Sequence, residues 1–201
     1  GVSARSVNGQ CLRRLRLGIM CWWTPGGVTS RERCDHIFHA IHRINNKTDG
    51  WYDHLLPGAV VEAQEVRVGC SAGRAVSALQ TLRSASSVPL SAVIGPGCSN
   101  DVRDITSVDS RLASAYGGLV ISYASTAPPL ANESAFPNLA RTATSDAQTG
   151  VALARVVSHY GWSRVVVLHD GTVWGRGSAA SFPRSFRQTA SDTVVRNRNT
   201  T

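Results

Sequence analysis

A chain of 201 residues that is 42% hydrophobic and 17% charged has enough apolar surface for a core of its own, which excludes a disordered or fibrous protein; no apolar run nears the roughly 18 residues of a membrane helix. The net charge of +8 is carried by arginine, with Lys47 the single lysine. The arginines are scattered, apart from Arg13, Arg14 and Arg16 and from Arg184, Arg187, Arg196 and Arg198, and no zinc finger or RNA-binding aromatic motif accompanies them, so nucleic acid is not an expected partner.

Residues 15–23 alternate into an apolar run and read as a buried strand, broken by Pro25-Gly26-Gly27. Thr29 or Ser30 caps a helix running to Asn45 or Asn46, with Ile37, Ala40, Ile41 and Ile44 at helical spacing. Leu55-Leu56-Pro57-Gly58 is a turn, Ala59–Val68 a second strand, and 73–84 a second helix with Ala75, Val76, Leu79 and Leu82 on one face. Leu90–Ile94 is a third strand, stopped by Gly95-Pro96-Gly97, and 99–116 is expected to be mostly helical up to Gly117-Gly118. A strand at 119–123, a loop at 124–132, a helix at 148–160 and a strand at Arg164–His169 follow. The last helix, 174–186, is expected to break at Pro183, and the residues from Thr189 form a polar tail.

Strands alternating with helices imply an α/β fold with a parallel sheet. Ligands of such sheets sit at the carboxyl ends of the strands. The loops after Leu90–Ile94, 119–123 and Arg164–His169 are therefore where a site is expected.

Gly95-Pro96-Gly97-Cys98-Ser99-Asn100 leads from strand to helix. Free N–H groups at a helix start favour an anion, a carboxylate or a chloride near Gly97, Cys98 and Ser99, and Ser99 adds a hydroxyl. The plain alternative is Ser99 as a helix cap. The segment 122–129, Ser-Tyr-Ala-Ser-Thr-Ala-Pro-Pro, offers hydroxyls and backbone groups for a small zwitterion, or is a polar turn.

Cys34, His36, His39 and His42 share one helix, and His39 and His42 are three apart. Cys34 lies too far along to complete a metal site, so a solvated face is preferred and no metal is expected. Neither a G-x-S-x-G elbow nor H-E-x-x-H occurs, so no enzyme is expected; G-x-G-x-x-G and a Walker lysine are absent too. The five cysteines, Cys11, Cys21, Cys34, Cys70 and Cys98, contain no C-x-x-C and allow two disulfides with one left over. Sequons begin at Asn46, Asn132 and Asn199.

Several segments resemble one family in its own order: residues 15–23; the helix ending Arg43-Ile44-Asn45-Asn46; Leu55-Leu56-Pro57-Gly58; Cys70 with Gly73-Arg74-Ala75-Val76; Ile94-Gly95-Pro96-Gly97-Cys98-Ser99; residues 121–128; Arg141-Thr142 through Ser145-Asp146; and Tyr160-Gly161-Trp162. Together they resemble the receptor-type ligand-binding region of class C G-protein-coupled receptors, such as metabotropic glutamate and GABA receptors, with similarity to natriuretic peptide receptors and other receptor guanylate cyclases. The resemblance implies the type I periplasmic-binding-protein fold, two three-layer αβα lobes joined by crossing strands. It places lobe 1 at 15–140, the first part of lobe 2 at 141–188 and an incomplete tail at 189–201, and implies that a whole domain is about twice this long. A cleft lacking half of lobe 2 is expected to be one-sided.

The same resemblance pairs Cys70 with Cys98. It gives Ser99 and Thr126 the α-carboxylate of an amino acid, Ala124 a backbone contact, Asp146 the α-amine, Trp174 a covering role from lobe 2, and Arg33 an acidic side chain of the ligand. It implies an extracellular domain at the plasma membrane, anchored by a downstream segment, dimerising through lobe 1, glycosylated at Asn46 and Asn132, and closing on a small amino-acid-like ligand to signal. A transporter's solute-binding protein and a cyclase ectodomain are the alternatives.

Overall fold

The computed structural model describes residues 4–7, 10–23, 29–70, 73–107, 118–186 and 192–197. Strands β1 (Ala4–Val7) and β2 (Gln10–Trp22) form an antiparallel hairpin. From Arg13 onward β2 is the centre of a parallel sheet. β3 (Ala59–Val68) pairs with one edge of it, and β4 (Leu90–Ile94), β5 (Leu119–Ser122) and β6 (Leu139–Arg141) follow in turn from the other.

Alternation along β2 sends Ile19 and Met20 to opposite faces, and both are wholly buried. On the Ile19 face, Cys34 and Ile41 of α1 (Thr29–Asn45) pack with Cys21 and Val61. On the Met20 face, Ala75, Leu79 and Leu82 of α2 (Arg74–Ser84) and Ile105 of α3 (Ser99–Thr106) meet Val68, Val93 and Val120. Gly18 permits the close seating of α2, since a Cβ there would lie 2.6 Å from Leu82 Cδ1. This is the expected three-layer lobe. The buried Arg16 ties its layers together: Nη1 donates to Val88 O at 3.0 Å, and Nη2 to Gln64 Oε1 at 2.7 Å and to Leu82 O near the negative end of α2.

Two disulfides pin the lobe. Cys70 and Cys98 join the end of β3 to the residue capping α3, Cα to Cα 5.4 Å. Cys21 and Cys34 join β2 to α1, at 5.9 Å. The second pair spends Cys34 and removes it from any metal-binding helix face.

Lobe 2 is built on a parallel pair, β7 (Arg164–His169) and β8 (Asp192–Asn197). Helices α4 (Ala147–His159) and α5 (Val173–Phe186) pack through Ala154, Val157, Phe182 and Phe186 on Val165 and Val167. Three expectations change. The polar tail expected at 189–201 contains β8. The helix expected over 99–116 ends at Thr106, and 108–117 lie outside the described residues. α5 runs through Pro183 without a break. A proline inside a helix costs about 3 kcal/mol, but Phe182 and Phe186 are both buried, at about 1.5–3 kcal/mol each, so packing outweighs the lost bond.

Candidate ligand-binding site

The carboxyl ends of β2, β3, β4 and β5 all open on one side of the sheet, and the β7–α5 loop faces them. Between them lies a cavity of about 270 Å³ lined by Trp22, Cys70, residues 97–100, Ala124, Thr126, Asp170, Thr172 and Trp174. Lobe 2 residues are already present, so the cleft is two-sided where a one-sided one was expected.

The lobe 1 wall is a brace of hydroxyls. Gly95 has φ +95°, and a Cβ there would collide with Met20 O, so only glycine makes this turn. Ser122 Oγ donates to Pro96 O at 2.6 Å, and Ser125 Oγ to Gly97 O at 3.0 Å. Arg141 Nη1 donates to Ser125 O and Ala127 O, both at 3.2 Å; burial holds its pKa below the usual value, opposed by the charge of Asp146. These bonds fix the β4 and β5 loops side by side.

Ser99 is not the cap of α3. Cys98 holds that position, and Ser99 is the first helical residue, buried, with Oγ accepting from Ala127 N at 3.3 Å. That bond uses the hydroxyl as an acceptor and not its proton, which lies beside the α3 N-terminus. Ala124 lines the same wall.

Thr126, Asp146 and Trp174 meet in one cluster. Thr126 Oγ1 donates to Asp146 Oδ2 at 2.6 Å. Trp174 Nε1 donates to the same Oδ2 at 2.5 Å and lies 3.1 Å from Thr126 Oγ1. Asp146 precedes α4 and belongs to the best capping residue type, yet its side chain makes no cap bond. Its backbone N–H donates instead to Thr126 O at 2.9 Å, which turns the carboxylate toward the cleft. Arg33 falls within α1, and its side chain lies outside the described residues.

Trp22, Cys70, Asn100, Asp170 and Thr172 join the cavity without having been singled out as ligand contacts. Asp170 and Thr172 sit in the loop after β7, where the strand-end rule points. Trp22 ends β2 and Cys70 follows β3 by two residues, and the same rule applies to both. Asp170 Oδ1 accepts from Thr172 N at 3.0 Å and Thr172 Oγ1 at 2.7 Å, and these bonds hold its pKa below the ordinary carboxylate value.

A parallel-sheet lobe closed on a second lobe, with the cavity at the strand carboxyl ends, defines a periplasmic-binding-protein-like ligand-binding domain. A sequence model of the receptor family ligand binding region matches residues 37–201, and the chain belongs to that family. It is similar to gamma-aminobutyric acid type B receptor subunit 1 of Mus musculus and of Rattus norvegicus, at 23% identity over 148 residues in each case. The match covers 74% of this chain and 14% of each relative. Among the described residues no helix is long and apolar enough to cross a membrane.

Proposed function

We propose that this chain is the extracellular ligand-binding domain of a membrane receptor and takes a small amino-acid-like ligand in the cleft between its lobes. The carrying observation is a cavity with two complementary ends, one in its lining and one beside it. The α3 N-terminus with Ser99 offers donors for a carboxylate, and Asp146, bonded to the lining residue Thr126, offers an acceptor for an ammonium; Thr126, expected at the carboxylate with Ser99, spends its hydroxyl proton on Asp146. Its volume of about 270 Å³ lies just below the roughly 300–1,000 Å³ of pockets for drug-sized ligands, which favours an amino acid over the peptide of a cyclase-type receptor. The similarity to a type B receptor subunit favours a receptor over a transport protein. No catalytic role is assigned. Chloride competes for the carboxylate end. Partnering goes through lobe 1, and membrane anchoring through a downstream segment.

Signalling follows from closure: a ligand touching both lobes stabilises the closed arrangement by its differential affinity. Sugars on Asn46 and Asn132 fit an extracellular domain. Asn132 is exposed, and Asn46 is partly so, with Oδ1 accepting from Thr48 N and Thr48 Oγ1 at 3.2 and 3.0 Å.

Ser99→Ala and Thr126→Ala are each expected to weaken the binding of an α-amino acid by roughly 10- to 150-fold, the loss of one hydroxyl bonded to a charged group. Calorimetry with circular dichroism as the folding control checks this. Unchanged affinity in both variants would reduce the two hydroxyls to loop bracing and remove the amino-acid assignment.

A further inference from the structure

The head-group ends of the cavity leave its third side to be assigned. Among the described residues that line the cavity, Asp170 is the only one with a formal charge, and the neighbouring Asp146 is acidic too. The turn that starts α5 explains part of Asp170. Both of its bonds to Thr172 fall on Oδ1, and Thr172 Oγ1 then accepts from Gly175 N at 2.9 Å. A ligand donor would use Oδ2. Asp170 is exposed at the cavity, where its bonds to Thr172 lower its pKa and His169 is the charge that bears on it in the same direction.

Two indoles line the same cavity from opposite lobes, Trp22 at the end of β2 and Trp174 on α5. Indole is the aromatic ring that most favours a cation over its face, and a planar guanidinium both stacks on it and presents paired donors to a carboxylate. An acidic ligand side chain would be repelled by Asp170, and an aliphatic one would leave its Oδ2 to water.

We propose that the ligand carries a cationic distal group, a guanidinium or an ammonium, held by Asp170 between Trp22 and Trp174. This assignment rests on the reading of Ser99, Thr126 and Asp146 as the amino-acid head-group site. It makes Asp170 a specificity-determining residue and sets the ligand apart from acidic amino acids.

Calorimetry on the full chain with L-arginine, its neutral isostere L-citrulline and L-glutamate tests it. L-arginine is expected to bind at least about tenfold more tightly than L-citrulline, the equivalent of one charge-assisted pair, with L-glutamate weakest. Asp170→Asn keeps an acceptor for Thr172 and is expected to bring L-arginine down to the affinity of L-citrulline. Equal binding of the three probes, or an arginine preference that survives Asp170→Asn, overturns the cationic assignment. If Thr126→Ala still weakens all three probes in that case, the head-group site stands. An arginine preference that Asp170→Asn abolishes but Ser99→Ala and Thr126→Ala leave untouched keeps the cation site and removes the head-group site. No binding by any probe overturns both.

Discussion

Asp101 is wholly buried in the first turn of α3, and neither carboxylate oxygen has a hydrogen-bond partner. A helix N-terminus favours a negative charge there by about 0.3–1 kcal/mol. Burial acts the other way and prevails: desolvation, with a smaller contribution from Asp104, pushes the pKa up from 3.8 to about 7. The folded chain therefore keeps a proton that the unfolded chain gives up. The contribution of Asp101 to stability is greatest below about pH 4, falls as the pH rises toward 7, and levels off above that, with a slope of at most about 1.4 kcal/mol per pH unit. Asp101→Asn is expected to flatten this slope in urea unfolding between pH 4 and 8. Parallel curves for the two proteins would show that Asp101 is paired in solution. Nothing in the sequence marks Asp101, because its spacing fits a solvated helix face as well as a buried one. Ser99 and Thr126 lie in loops that the strand-end rule marks, and Trp174 enters from the resemblance alone. Asp170 lies in such a loop too, but neither it nor Trp22 stands out by residue type, because only the packing of five strands and a second lobe brings them to one cavity.

Elements were legible where composition punctuates them. β4 ends at Gly95-Pro96-Gly97, β3 begins after Leu55-Leu56-Pro57-Gly58, and β7 follows Gly161-Trp162. β1 and β8 carry no such signal: they are short, largely polar, and defined only by the partner strand. The Cys21–Cys34 pair was open for the same reason, since it forms only once α1 lies against β2. Helix contact also explains a glycine that propensity alone would remove. Gly150 is the fourth residue of α4, and inside an isolated helix alanine gains about 1 kcal/mol over glycine. Here a Cβ would lie 2.7 Å from Ser181 C and 2.8 Å from Phe182 N, both backbone atoms of α5. Overpacking of this kind costs about 1–3 kcal/mol. Gly150→Ala is accordingly expected to lower the melting temperature, and a higher one would mean that the helices have room to part.

At the scale of the whole molecule, the two lobes are joined by more than the chain that crosses between them. Val173, at the start of α5, is buried in a lobe 1 cluster with Val102, Ala127, Leu130 and Phe136, and its N–H donates to Asn100 Oδ1 at 3.0 Å. Gly177 lies so close to Pro129 that a Cβ would approach its Cδ to 2.5 Å. Only one face of the lobe 2 sheet is covered among the described residues, leaving Val166 and Leu168 of β7 61% and 66% exposed. Further contacts cross the cleft itself. Within them, Trp174 Nε1 donates to Asp146 Oδ2, the acceptor proposed for a ligand's ammonium. On the proposed reading, a ligand's ammonium and the indole would compete for this one oxygen, and the indole bond would favour the closed arrangement without ligand. Trp174→Phe keeps the ring and deletes the N–H. A hydrogen bond to a charged acceptor contributes about 1.5–3 kcal/mol, so the closed population should fall by roughly 10- to 150-fold relative to the open one. Small-angle scattering should then show a larger radius of gyration for the unliganded variant, and hydrogen exchange a faster Val173 amide. If both observables match the parent chain, the apolar contacts of Val173 and Gly177 are sufficient for closure and the indole bond follows from it.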